Sequence, residues 1–112
     1  MGEARLAGML DRGGIAYEYE RPTSVHDRGR WRSWRPDFTL PQYGDLIVEY
    51  AGMPDVPDYM QGVVHKARAY RNNRRSALFL YPGDLYRRGA DRHVYRQIEA
   101  AASKNVSRYR AR

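Results

Sequence analysis

"RPDFTLPQYGDLIVEYAGM", residues 35–53, decides how the chain is read. Two apolar runs of strand length, "DFTL" (37–40) and "DLIVEYA" (45–51), flank the Pro/Gly connection "PQYG", which predicts a hairpin-like pair of strands. Each run carries an acid: Asp37 starts the first, just after Pro36, and Glu49 sits fifth in the second. If the strands pair around the turn, these carboxylates converge on one edge. Two carboxylates so close repel, raising one pKa unless a cation sits between them. Mg2+ is the usual ion for an all-oxygen site, held by one or two carboxylates with water and substrate phosphate completing its shell. Such an ion polarises a phosphodiester and acidifies a bound water that can attack it.

The same logic extends outward along the chain. "EARLAGMLDR" (3–12) spaces Leu6, Met9 and Leu10 as a helix does, and "GG" at 13–14 ends it. "IAYEYERP" (15–22) alternates, with Ile15, Tyr17 and Tyr19 opposite Ala16, Glu18 and Glu20, which predicts a strand closed by Pro22. "TSVHDRGRWRSW" (23–34) has no evident period and reads as a loop. Residues 58–72 predict a helix with Asp58 as N-cap and Tyr59, Val63, Lys66 and Tyr70 on one stripe. "SALFLYP" (76–82) is almost wholly apolar and of strand length, as in a buried central strand. A last helix starts near residue 90, and 104–112 reads as a basic C-terminal tail after a single domain spanning 1–103. The fold class is α/β, a mixed sheet flanked by helices.

Charge narrows the partner. Twenty basic residues, eighteen of them arginine, against thirteen acids give +7, which favours a polyanion. The absence of cysteine removes disulfide, thiolate-metal and Cys-nucleophile chemistry. No apolar run approaches the roughly 20 residues that cross a bilayer, and the N-terminus lacks a signal-peptide pattern, so no membrane partner is expected and a cytoplasmic location is. The histidines at 26, 65 and 93 are too dispersed for a metal motif.

Several segments together resemble the PD-(D/E)XK nuclease superfamily, in its small branch of Holliday-junction resolvases and very-short-patch-repair-like endonucleases. They are "GEARLAGML" (2–10), "GIAYEYE" (14–20), "RPDFTLP" (35–41), "LIVEYAGM" (46–53), "DYMQGVVHKARAY" (58–70) and "FLYPGDL" (79–85). The resemblance implies a restriction-endonuclease-like core of order α-β-β-β-α-β-α. It implies that Asp37 and Glu49 hold the metal, Mg2+ with Mn2+ able to substitute, and that Glu3 completes the site. The family lysine is missing: the motif reads Glu49-Tyr50-Ala51. Lys66, on the stripe of the following helix, is the candidate to replace it, positioning the attacking water or stabilising developing charge.

The implied activity is a Mg2+-dependent DNA endonuclease acting on branched or structured DNA, as a homodimer in a bacterial, archaeal or phage-infected cytoplasm. Nicking, mismatch or restriction-like endonucleases, and a non-catalytic DNA-binding relative, are the alternatives. The candidate DNA contacts are Arg28, Arg30, Trp31, Arg32, Trp34 and Arg35 ahead of Asp37, and Arg68, Arg71, Arg74 and Arg75 after Lys66. Arginines contact phosphate, and a tryptophan can stack on an unpaired base. One of the two tryptophans is expected to cover the core edge instead. Arg108, Arg110 and Arg112 add nonspecific attraction.

Overall fold

The computed structural model describes residues 2–110, with side-chain environments described as far as residue 104. Helix α1 (Gly2–Arg12) leads into β1 (Glu18–Tyr19), a hairpin of β2 (Thr23–Asp27) and β3 (Arg30–Trp34), and then β4 (Phe38–Leu40). A 3-10 turn at Pro41–Tyr43 connects β4 to β5 (Leu46–Tyr50). Helix α2 (Pro57–Asn72), β6 (Ala77–Leu80), the short α3 (Pro82–Leu85) and α4 (Ala90–Arg110) complete the chain.

The main sheet has the order β1-β4-β5-β6, antiparallel except for the parallel β5–β6 pair. It is a mixed sheet between two layers. On one face α1 and α4 bring Leu6, Met9, Leu10, Val94 and Ile98 against Phe38, Leu40, Leu46, Val48 and Leu80. On the other, Ala69 and Tyr70 of α2 and Val25 of the hairpin pack on Ile47. This division follows from strand alternation: Leu46 and Val48 point one way, Ile47 and Glu49 the other. Each buried aliphatic side chain contributes about 1.5–3 kcal/mol relative to exposure, so both layers hold the sheet.

The central turn forms as the sequence predicts. Gly44 (φ +67°) and Asp45 (φ +59°) are both left-handed, and β4 and β5 pair with Phe38 opposite Val48. That register continues to place Asp37 opposite Glu49.

Several expectations change. Only Glu18–Tyr19 of the alternating run 15–22 pairs as strand. Its start is spent capping α1, with Ile15 N–H donating to the Leu10 carbonyl, and Glu20 turns left-handed at φ +52°. The stretch 23–34 is a hairpin, turned by Arg28 (φ +51°) and Gly29 (φ +78°), as a type I′ connection requires. Asp58 lies inside the first turn of α2, because Pro57 occupies the first helical position and Val56 is the N-cap. The apolar 76–82 run forms an edge strand, bonded only to β5 among the described residues. Helix α4 continues to Arg110, through residues read as a tail. The side chains of Arg108 and Arg110, and all of Arg112, lie outside the described residues. Among the described residues, no helix is long and apolar enough to cross a membrane.

Candidate active site

The site forms where the first residue of the β4 run meets the end of β5, beneath α2. Glu49, 4% exposed, points to the α2 face beside Ile47. Its Oε1 accepts the Asp37 backbone N–H (3.1 Å), and Asp37 Oδ2 accepts the Tyr50 backbone N–H (2.7 Å). Each carboxylate is thus held by the other strand's backbone. Opposed strands alone would leave both side chains free to swing; this reciprocal pair locks them at neighbouring positions.

Two residues of α2, one turn apart, close on Glu49 Oε2. The Tyr70 hydroxyl donates to it at 2.7 Å, and the Lys66 ammonium lies 3.0 Å from it. Spacing of four on a helix puts both on one face. Ala51, 2% exposed, carries the strand pairing onward through its N–H to the Leu80 carbonyl, and it shares the face of Glu49. The Lys66 ammonium therefore reaches this face of β5 from α2.

Burial drives the Asp37 carboxyl up to about 6, the Glu49 and Glu3 charges push it the same way, and the Tyr50 N–H and Lys66 oppose them. Tyr70 is raised as well, by burial first and then by the Glu49 charge beside it. Asp37 is a strained anion, and among the described residues its Oδ1 takes no hydrogen bond.

Glu3 stands differently. Its Oε1 accepts the Tyr19 hydroxyl at 2.9 Å, and that bond holds the phenol up at about 12. Gly2 brings α1 this close: a Cβ there would lie inside the Tyr50 ring. Among the described residues, no three Asp, Glu, His or Cys side chains gather as a metal-binding group. The donor set at Asp37 and Glu49 nonetheless fits a hard divalent cation, which needs only one or two carboxylates when water and substrate oxygens supply the rest. The uncommitted Asp37 Oδ1 and its raised pKa are what such an ion would relieve.

The candidate DNA residues do not share one surface. Trp34 packs edge-on against Tyr70 and His65, so it covers the site's flank, and a cleft of about 330 Å3 lined by Ser33, Trp34, Arg35 and Lys66 opens beside it. Trp31 is 73% exposed on the outer face of the hairpin, against His26. Arg28 and Arg68 line a second cleft with His65 and Asn72, whereas Arg32 turns to Asp27 at 3.7 Å. Arg75 is structural: its guanidinium donates to the Ser24 carbonyl and ties the hairpin down. Arg71 and Arg74 stand at the end of α2 and just beyond it.

Sequence reasoning missed the Tyr70 bond to Glu49, having placed Tyr70 only in an apolar stripe. Its signal was the four-residue spacing from Lys66. No protein-family model matches this chain, and no curated protein or solved structure gives a match to it.

Proposed function

We propose that the chain is a PD-(D/E)XK-type nuclease that hydrolyses phosphodiester bonds of DNA, with branched or otherwise structured DNA as its substrate. The observation that carries the reading is the reciprocal Asp37–Glu49 pair with Lys66 3.0 Å from Glu49. The reading is supported by a mixed sheet flanked by helices whose element order, leaving out the β2–β3 hairpin, is α1-β1-β4-β5-α2-β6, followed by α3 and α4.

Asp37 and Glu49 would hold Mg2+, with Glu3 close enough to add negative charge. The ion supplies Lewis-acid polarisation of the scissile phosphodiester. The chain's own residues do the rest. Tyr70 fixes the Glu49 rotamer through Oε2. Lys66, tethered by the same oxygen, would offer its ammonium to the charge that develops on the scissile phosphate, a preorganised electrostatic contribution. Arg28, Arg35 and Arg68 contact backbone phosphates, and Trp31 offers a stacking face for an unpaired base.

The test is cleavage of four-way junction, nicked, single-stranded and linear duplex DNA with Mg2+ or Mn2+. Wild type is expected to cut, Asp37→Ala to be inactive, and Lys66→Ala to lose on the order of 10²-fold or more. A second reading has a specific support: the Lys66 ion pair partly neutralises the acids without any metal. It describes a DNA-binding relative that no longer cuts, and wild-type binding without cleavage would establish it. Equal cleavage of junction and linear duplex would reject the preference for structured DNA.

A further inference from the structure

A cleft of about 590 Å3 opens between α1 and β1, and neither the Asp37–Glu49 pair nor the arginine clusters use it. One wall is α1, where the small side chains of Ala4 and Ala7 leave the space open and Glu3 stands on the same stripe. The other wall is aromatic. Phe38 forms the floor, and Tyr17 meets its ring edge-on at 5.1 Å. Tyr19, opposite Phe38 in the β1–β4 ladder, lies 5.7 Å from the same ring and is 55% exposed, so solvent reaches its face. Among the described residues Glu3 is the one charged group in this lining. Its Oε1 accepts the Tyr19 hydroxyl, whereas its Oε2 takes no hydrogen bond or ion pair from them. Arg5, the nearest cation along the chain, is committed to the Leu85 carbonyl and the Tyr86 ring.

Aromatic rings around a carboxylate short of donors select the occupant. Glu3 repels a phosphate, but it receives the N–H groups of a planar ring that stacks on tyrosine. The cleft also lies within electrostatic reach of the Asp37–Glu49 pair. The Asp37 carboxyl, raised chiefly by burial, also feels the Glu3 charge, and the Tyr19 phenol, raised first by its Glu3 bond, also feels Asp37. A DNA strand with a phosphate at Asp37 therefore has a base at hand for the cleft. Among the four bases the Watson–Crick edge decides. Guanine presents two adjacent donors, N1–H and N2–H, which the two oxygens of a carboxylate accept side by side, with a lone pair left for the Tyr19 hydroxyl. Adenine and cytosine each set a ring-nitrogen acceptor against one of those oxygens, and thymine flanks its single N3–H with two carbonyls.

We propose that this cleft receives one unpaired guanine of the DNA substrate, stacked on Tyr19 and held at its Watson–Crick edge by the Glu3 carboxylate. The inference deepens the nuclease reading and rests on it for the DNA. Tyr19 then serves twice, as a stacking face and as the positioning residue whose hydroxyl fixes the Glu3 carboxylate.

Metal-free binding tests it, read by fluorescence anisotropy on the full-length chain with DNA hairpins that carry a single-nucleotide bulge of each base in turn. The guanine bulge is expected to bind about fivefold or more tightly than the thymine bulge. Two analogues need no variant protein. Hypoxanthine, which lacks the N2 amino group, should lose most of that preference, and 7-deazaguanine, altered only on the opposite edge, should keep it. Glu3→Gln exchanges one acceptor for a donor, so it should turn the preference from guanine to adenine or cytosine, a gain that a folding defect cannot mimic. Equal affinity for the four bulges, or no binding of any, overturns the proposal. Hypoxanthine bound as tightly as guanine, or a folded Glu3→Gln that still prefers guanine, overturns it too. Cleavage of the same DNAs with Mg2+ is scored separately. Cutting without a base preference refutes this inference alone, and a guanine preference without cutting refutes the nuclease reading alone.

Discussion

Asp37 is the residue at which stability and the proposed function oppose each other. Its carboxyl is raised from 3.8 to about 6, chiefly by burial. Below the lower value both folded and unfolded chains carry the proton, and burial of the neutral acid has little electrostatic cost. Between the two values the unfolded chain ionises while the folded one does not, so stability falls as pH rises, then levels off above about 6. In metal-free protein, Asp37→Asn should therefore be more thermostable than wild type at neutral pH. The difference should vanish at low pH, as a series of melting curves would read directly. The amide oxygen still accepts the Tyr50 N–H, so the backbone lock survives. Tyr70→Phe tests the other side of the pair. It removes a 2.7 Å bond to a buried carboxylate without changing packing, which should cost about 1.5–3 kcal/mol in denaturant unfolding. If the site binds Mg2+, it should also weaken that affinity, measured calorimetrically, because Glu49 loses its orientation.

At the scale of elements, the β2–β3 hairpin is held by a few long-range bonds to the end of α2. The Asn73 side chain accepts the His26 N–H and donates to the His26 and Ala69 carbonyls, Arg75 donates to Ser24, and His65 pairs with Asp27. Val25, fully buried, supplies the apolar contact beneath them. Asn73→Ala should cost about 1–3 kcal/mol, since three bonds are lost where water can partly replace them. It should also speed exchange of the His26 amide far more than that of Val48. The hairpin was hidden in the sequence for a physical reason. Its second strand, "RWRSW", is exposed at four of five positions, so no apolar alternation marks it. The one local signal was Asp27-Arg28-Gly29-Arg30, whose turn needs two left-handed residues and has glycine at only one of them.

For the whole molecule, the net charge of +7 makes any DNA affinity steeply salt dependent. Arg28→Ala and Arg68→Ala, which line one cleft, should each reduce the slope of log affinity against log salt by about 1. Arg75→Ala should act mainly on stability, because its guanidinium is occupied by the Ser24 carbonyl. Binding isotherms at several salt concentrations, set beside melting curves, separate the two effects. A slope unchanged by Arg28→Ala and Arg68→Ala together would remove that cleft from the phosphate track.

The sequence by itself determined the local pieces of this protein. Apolar spacing specified α1, α2 and the β4–β5 pair, and the turn residues at 41–45 set a register that makes Asp37 and Glu49 neighbours. Those features depend on contacts a few residues apart, which composition and periodicity encode. Only the tertiary structure decided three others. It brought Lys66 and Tyr70 onto the same oxygen of Glu49, it docked the arginine-rich hairpin on α2, and it left β6 at an edge. An apolar run reports that a segment must be covered, not by what. For residues 76–82 the helices on both faces do the covering, Leu78 and Leu80 on the α1–α4 side and Ala77 and Phe79 on the α2 side, which is why a strand bonded only to β5 among the described residues reads as central.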